Sequence, residues 1–372
     1  MSDRHLHIIS FDIPYPANYG GVIDVFFKAK ALAEEGVKVY LHCFEYNREP
    51  SDKLGKMFEK VYYYKRDISK KHLFKSIPYI VSSRISEELV TNLQKDNYPI
   101  LMEGLHTSGL LEDKRFSGRR MLVRTHNIEH EYYNNLAKVE GDIFKKYYYY
   151  NEAAKLKRYE STLAKADKLI CISKNDEKYF SSEFDKVEFI PAFHPFKEIN
   201  AKTGKGDYVL YHGNLSVAEN TNAVKYLIVN VFNDGDILFK VAGLKPTKQL
   251  RNLLSPLSNV ELIANPSDEL LQILIENAHI NIAITAQATG LKLKLLNTLY
   301  NGRFCLVNDK MLSGTDLDKL CIIANDYGSM KRKINTLFKK EFTQKDIEKR
   351  KKILHTLYNN GNNTRKLIDL VC

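Results

Sequence analysis

The sequence predicts an α/β protein made of two doubly wound, Rossmann-like domains, and three observations carry that prediction. Short apolar runs of strand type alternate with segments of helical period along most of the chain. The alternation breaks at a polar, glycine-bearing stretch, KEINAKTGKGD (197–207), and then starts again. At 372 residues the chain also exceeds what one hydrophobic core of ordinary size organises.

In the first half, HLHIISF (5–11) reads as a strand and DIPYPANYGG (12–21) as the loop after it. VIDVFFKAKALAEE (22–35) has helical spacing and stops at Gly36, where a left-handed cap is inexpensive. VKVYLHCF (37–44) resumes as a strand, which completes a βαβ unit with its glycines at the strand-to-helix turn. Further strands are expected at YPILMEG (98–104), RRMLVRT (119–125) and KLICIS (168–173), with a long helix from about Lys145 to Lys165. Such alternation argues for a parallel sheet covered by helices on both faces.

The second half opens with DYVLYHG (207–213), NLSVAEN (214–220) and the amphipathic helix TNAVKYLIVNVF (221–232). Strands are expected at ILFKVAG (237–243), VELIAN (260–265), INIAIT (280–285), RFCLVN (303–308) and KLCIIAN (319–325). The expected domains are therefore 1–200 and 206–342, followed by charged helices over 343–372.

Composition narrows the class. Hydrophobic content of 44% with 27% charged residues is that of a globular protein. The five cysteines, Cys43, Cys171, Cys305, Cys321 and Cys372, are dispersed and lack C-x-x-C spacing, which suits reduced thiols rather than a metal knuckle. No apolar run has membrane-span length, and the start MSDRHLHIISF carries an acid at Asp3 with no long apolar core behind it. A cytoplasmic protein is expected, with peripheral contact to the inner face of the membrane left open. The net charge of +11 suits phosphate-bearing ligands or an anionic membrane. Its basic clusters lack a zinc-finger or RNP-like pattern, so no nucleic acid is expected as a partner.

In open α/β sheets, ligands bind beyond the carboxyl ends of the strands. Asn18, Gly20 and Gly21 in the first half, and Gly213, Gly243 and Gly290 in the second, belong to turns at that edge. None forms a GxGxxG fingerprint or a GxxxxGK[ST] phosphate loop, which disfavours dehydrogenase and P-loop readings. The stretch TGLKLKLLNTLYNGRFCLVND (289–309) places Lys292 and Lys294 directly after Gly290. A helix beginning there exposes unpaired N–H groups and the positive end of its dipole, so two lysines favour an anion in front of it. At 100° per residue Lys294, Asn297, Thr298 and Asn301 fall opposite the leucines, Lys292 precedes the regular helix, and Gly302 ends it. Two readings stay open: a half-buried helix with a merely solvated polar face, or a helix start that grips a diphosphate.

GNLSVAEN (213–220), FKVAG (239–243), VELIAN and TGLKLKLLNTLYNGRFCLVND together resemble, in order and spacing, the donor domain of the family-four retaining glycosyltransferases. PANYGG (16–21), RTHNIEHEYY (124–133) and YESTLAKADKLICISKND (159–176) resemble the acceptor domain of the same family. The resemblance implies a GT-B fold, two facing Rossmann-like domains with a cleft between them and a terminal helix crossing back to the first. It implies transfer of a sugar, with retention, from a UDP- or GDP-sugar to a saccharide or lipid-linked acceptor in cell-surface polysaccharide synthesis. No cofactor and no obligatory metal are implied.

Carried onto this chain, the resemblance assigns catalysis to His126 and Lys294. Donor binding falls to Gly21, Gly213, Asn214, Gly243, Asn265, Thr289, Gly290, Leu291, Lys292, Lys294 and Asn297, and acceptor binding to Tyr15, Asn18, Tyr19 and Glu129. The chain departs from the family at four positions. Thr289 and Asn297 stand where relatives carry two glutamates, and Asn214 and Glu219 stand in the region where a basic pair is expected. Lys292 and Lys294 are then the best remaining neutralisers of a diphosphate leaving group, whose charge is the main catalytic demand. These departures keep a nucleotide-sugar-binding protein without turnover in view, and a sugar-nucleotide epimerase of similar architecture is a further alternative.

Two other motifs are weighed and set aside. His126 and His130 bracket Glu129, but HExxH needs glutamate directly after the first histidine, and Asn127 is there. KKYYYYNEAAKLKRY (145–159) interleaves lysine and tyrosine, yet four successive tyrosines on a helix point all round it and make no single stacking face. A basic, aromatic helix of this kind can instead rest on an anionic membrane.

Overall fold

A computed structural model describes residues 3–233, 235–286 and 292–371. Thr289, Gly290, Leu291 and Cys372 lie outside the described residues. The chain divides into two compact units, the first running to Pro195 and regaining the chain from Tyr358, the second running from Phe196 to Leu357.

The first unit is built on a parallel sheet of seven strands: β1 (His5–Ser10), β2 (Lys38–Glu45), β3 (Lys60–Lys65), β4 (Ile100–Glu103), β5 (Met121–Thr125), β6 (Lys168–Cys171) and β7 (Val187–Phe189). Their order is β3-β2-β1-β4-β5-β6-β7, so the direction of winding reverses between β1 and β4. The helix Gly20–Glu34 ends where expected, with Gly36 at φ +81°. Val25, Ala29 and Leu32 on that helix pack with Leu6, Ile8, Val39 and Leu41 of the sheet. The opposite face is covered by Leu156, Leu163 and Phe180 among others. Each such aliphatic side chain contributes on the order of 1.5–3 kcal/mol by leaving water.

The second unit repeats the plan with six parallel strands: β8 (Tyr208–Asn214), β9 (Leu238–Leu244), β10 (Val260–Ala264), β11 (Ile280–Ala283), β12 (Phe304–Val307) and β13 (Ile322–Ile323). Their order is β10-β9-β8-β11-β12-β13, with the reversal between β8 and β11. Val209, Tyr211, Val224, Leu227, Val241 and Ile282 are central to its core.

Several elements differ from the sequence-based expectation. β3, the tyrosine-rich KVYYYK, and β7 extend the first sheet at its two edges. The long helix is Ile143–Tyr159, and a 3₁₀ segment, Glu160–Lys165, follows it. The helix after β8 begins at Ala218, one turn early. Ile199 and Ala201 already pack into the second unit's core, and Asn200 N–H donates to Tyr300 O at 2.8 Å. The terminal helices divide between the units. Gln344–Leu357 belongs to the second, where buried Arg350 donates to Leu299 O at 3.0 Å. Asn360–Val371 belongs to the first, where Leu367, Ile368 and Val371 join the core around Val25. Cys43, Cys171 and Cys305 are buried free thiols, and Cys321 is partly buried.

Candidate active site

Because each sheet is parallel, the carboxyl ends of its strands lie along one edge of that sheet, and the helix N-termini that follow them open there. At the reversal point of the first unit, four buried charged side chains and one histidine form a closed network. Asp24 and Lys28 are one turn apart on the helix Gly20–Glu34, with Lys28 Nζ 3.0 Å from Asp24 Oδ2 and 2.7 Å from the Glu103 carboxylate at the end of β4. Arg124, in β5, grips Asp24 through both oxygens at 2.7 and 2.8 Å. The Phe193 N–H donates to Asp24 Oδ1 at 2.8 Å.

His126, directly after β5, reaches back to this network, with Nε2 2.9 Å from Glu103 Oε2. Burial pushes the Glu103 carboxyl up, and the Lys28 charge and the His126 bond more than offset it, leaving it below its ordinary value. An ionised Glu103 requires His126 Nε2 to be the protonated nitrogen and the donor. That leaves His126 Nδ1 buried, with no hydrogen-bond partner among the described residues. Ligand-type atoms of Asp24, Glu103 and His126 lie within 4.8 Å of one another. Lys28 and Arg124 already balance the two carboxylates, so the cluster fits an ion-pair network better than a metal centre.

His126 and His130 have separate partners: His126 goes to Glu103, and His130 Nδ1 goes to Glu160 Oε1 at 2.5 Å. Glu129 opens the helix Glu129–Val139, and burial pushes its carboxyl up to about 8. The loop before the helix Gly20–Glu34 is tied at three points. Tyr15 accepts from Lys53 at 2.7 Å, Asn18 from Arg48 at 2.9 Å, and Tyr19 donates to Asp12 at 2.6 Å. A Cβ on Gly21 would meet the Phe11 ring at 2.6 Å, so any larger residue there would displace that ring.

In the second unit the expected donor residues fall around the carboxyl ends of β8 and β9. Gly213 and Gly243 are ladder partners, and a Cβ on Gly243 would meet Gly213 O at 2.0 Å. Asn265, at φ +51°, donates its N–H to Gly243 O and accepts from Lys245 N–H at 2.7 Å, which fixes the β9 turn. Asn214 Oδ1 accepts from Ser216 N–H at 3.0 Å and orders the start of the helix Ala218–Asn230.

The helix is Leu293–Asn301, so Lys292 precedes it as expected and Lys294 lies in its first turn, which no side chain among the described residues caps. Its polar side is not merely solvated: Thr298 and Asn301 are buried. Lys294 is half-buried, with Nζ 3.1 Å from Asn220 Oδ1 and 4.8 Å from the centre of the Tyr211 ring. Burial lowers its ammonium to about 8, the Glu219 charge opposes that shift and the Lys292 charge adds to it. Asn297 accepts from Asn301 Nδ2 at 2.8 Å, so its amide oxygen is already engaged. Glu219 accepts from the Ala286 N–H at 3.0 Å and from the Thr285 hydroxyl.

Sequence reasoning missed Asp24, Lys28, Glu103, Arg124 and Asn220. A signal was present: Asp24 and Lys28 share the apolar face of their helix at i, i+4, while Glu103 and Arg124 close or interrupt apolar strands. Burial of that kind demands partners.

No family model matches the chain. It is 29% identical over 340 residues to an uncharacterized 44.6 kDa protein in the cps region of Klebsiella pneumoniae, covering 86% of this chain and 87% of that protein. Among solved structures it resembles a TarM variant from S. aureus in complex with Fondaparinux, alpha-GlcNAc-glycerol and UDP, with TM-score 0.66, 12% identity and full coverage of both chains (100%). It also resembles a UDP-forming alpha,alpha-trehalose-phosphate synthase from Burkholderia xenovorans in complex with glucose-6-phosphate, with TM-score 0.62, 10% identity and 99% coverage of both. The structural neighbours are glycosyltransferases of GT-B type, and the two parallel-sheet α/β domains give this chain that fold.

Proposed function

We propose that the chain is a retaining glycosyltransferase that moves a sugar from a UDP- or GDP-sugar to a saccharide or lipid-linked acceptor in cell-surface polysaccharide synthesis, without an obligatory metal. The observation that carries this reading is Lys294, a partly desolvated ammonium in the first turn of a helix beyond the carboxyl edge of the second sheet. Desolvation magnifies its attraction for a diphosphate, and the positive end of the helix dipole adds to it. In this reading the helix start and Lys294, with Lys292 beside it, stabilise the leaving diphosphate. His126, oriented by Glu103, is the residue of the first unit assigned to the sugar. The UDP in the TarM complex agrees with a nucleotide at such a fold.

A lipid-linked acceptor is supported by the surface of the first unit. Ile143 is 80% exposed and Phe144 87% exposed at the start of the helix Ile143–Tyr159, beside Lys145 and Lys146. Apolar side chains flanked by lysines suit the interface of an anionic bilayer. Among the described residues no helix is long and apolar enough to cross a membrane. A cytoplasmic site of action, with this face on the membrane, completes the reading.

One observation favours a second reading, a nucleotide-sugar-binding protein without turnover. Asn297 stands where relatives of the resembled family carry glutamate, and its oxygen is held by Asn301. Incubation with a panel of UDP- and GDP-sugars and a membrane extract separates the two. Release of nucleotide with sugar transfer supports the enzyme, binding without release supports the second reading, and no binding of any donor overturns both.

A further inference from the structure

Two consecutive residues, Glu219 and Asn220, hold the chain on both sides of 287–291, the stretch that leads into the lysine-bearing helix. Residues 287–291 themselves lie outside the described residues. Glu219 and Asn220 belong to the first turn of the helix Ala218–Asn230, just beyond the carboxyl end of β8. Before the stretch, the Glu219 carboxylate accepts from the Ala286 N–H at 3.0 Å and from the Thr285 hydroxyl. After it, Asn220 Oδ1 accepts from Lys294 Nζ at 3.1 Å.

Both anchors are braced. Asn220 Nδ2 donates to Asn214 O at 3.0 Å, and the Tyr211 hydroxyl donates to Asn220 Oδ1 at 3.0 Å. Thr285 exchanges two bonds with the Asn308 amide, its N–H donating at 3.2 Å and its carbonyl accepting at 2.7 Å. Lys310 Nζ donates to Ala286 O at 3.1 Å.

Glu219 also brings the opposing charge to this corner. Lys294 is faced by Glu219 from that helix, by the Tyr211 hydroxyl at 3.4 Å and the His212 ring from β8, and by Lys292 from its own segment. Burial raises the Tyr211 hydroxyl and lowers the His212 ring to about 3, so both are uncharged near neutral pH. Among these groups Glu219 alone is negative. Its charge opposes the burial that disfavours the Lys294 ammonium. The resembled family carries cations in this region, so the resemblance does not supply this role.

We propose that Glu219 is a positioning residue of the nucleotide site: with Asn220 it fixes the chain on either side of the lysine segment, and it supplies the counter-charge to Lys294. The inference rests on the nucleotide-sugar reading and deepens it.

The test follows Lys294 by NMR in the full chain, labelled with ¹³C at lysine Cε, from pH 6.5 to 9.5, with Lys294→Met identifying its signal. Calorimetry measures UDP and GDP affinity over the same range. Glu219→Gln keeps an accepting oxygen and loses the charge, so the Lys294 midpoint should fall below its wild-type value of about 8. The alkaline loss of nucleotide affinity should then begin at lower pH, with affinity at pH 6.5 not reduced. Glu219→Ala removes the anchor as well and should bind the nucleotide about tenfold more weakly even at pH 6.5. A merely structural carboxylate would leave both the midpoint and the pH profile of the glutamine variant where they are in wild type. An unmoved Lys294 midpoint in Glu219→Gln, or wild-type affinity at pH 6.5 in Glu219→Ala, overturns the proposal. Should the alanine variant fold poorly, the glutamine variant and its Lys294 signal still decide it. If wild type binds neither nucleotide, the nucleotide-sugar reading fails, while the Lys294 midpoint in the free chain still decides whether Glu219 supplies its counter-charge.

Discussion

Glu103 Oε2 holds His126 Nε2 at 2.9 Å while the same carboxylate faces Lys28 at 2.7 Å, so one buried acid positions the histidine and neutralises a buried ammonium. Removing a single partner of a buried pair costs about 3–5 kcal/mol, because the other charge stays behind unpaired. Glu103→Gln should therefore lower unfolding free energy by an amount of that order in urea titrations. Lys28 keeps Asp24 at 3.0 Å, but that carboxylate already balances Arg124, so the network is left one negative charge short. A loss below about 1 kcal/mol would show that Lys28 does not depend on Glu103.

Glu129 gives the protein a pH signature. Its folded carboxyl titrates at about 8, against an ordinary value of 4.5, because burial disfavours the charge. Between those values the unfolded chain has lost the proton and the folded chain keeps it. The contribution is thus fully present below pH 4.5 and is lost as pH rises toward 8, by up to about 1.4 kcal/mol per unit. Glu129→Gln should flatten the stability profile between pH 5 and pH 8, and an unchanged slope would contradict the assignment.

The architecture was legible because it rests on periodicity. The runs at β1, β2, β8 and β9 and the stop at Gly36 all read through local spacing. β3 escaped notice because an edge strand with partly exposed tyrosines lacks a clean apolar signature. The charged core was illegible for a different reason. Asp24, Lys28, Glu103 and Arg124 each look like surface residues, and only their meeting across 100 positions satisfies their burial. The start of the second-unit helix was legible from Lys292 and Gly302, whereas burial of Thr298 and Asn301 arises from tertiary packing that the helix wheel does not contain.

Lys294 predicts a pH limit on nucleotide affinity. Its ammonium is lowered to about 8 by burial, and a bound diphosphate favours the charged form. Affinity for the nucleotide should therefore be level below pH 8 and fall above it, approaching tenfold per unit while the bound form stays protonated. Calorimetric titrations from pH 6.5 to 9.5 measure this. In Lys294→Met the alkaline fall should vanish.

The exposed pair Ile143 and Phe144 predicts membrane contact without a structural cost. Ile143→Ser with Phe144→Ser should reduce co-sedimentation with phosphatidylglycerol vesicles severalfold, while stability changes by about 0.5 kcal/mol or less, as for exposed sites. Unchanged co-sedimentation would remove this face from the account.

The central claim is that the helix start at Lys294 binds the diphosphate of a nucleotide, and calorimetry of UDP and GDP with wild type and Lys294→Met tests it most directly. The account predicts that wild type binds at least one of the two, and that the variant binds it at least about tenfold more weakly with its fold intact. No binding of either nucleotide by wild type, or equal affinity in the variant, would contradict it.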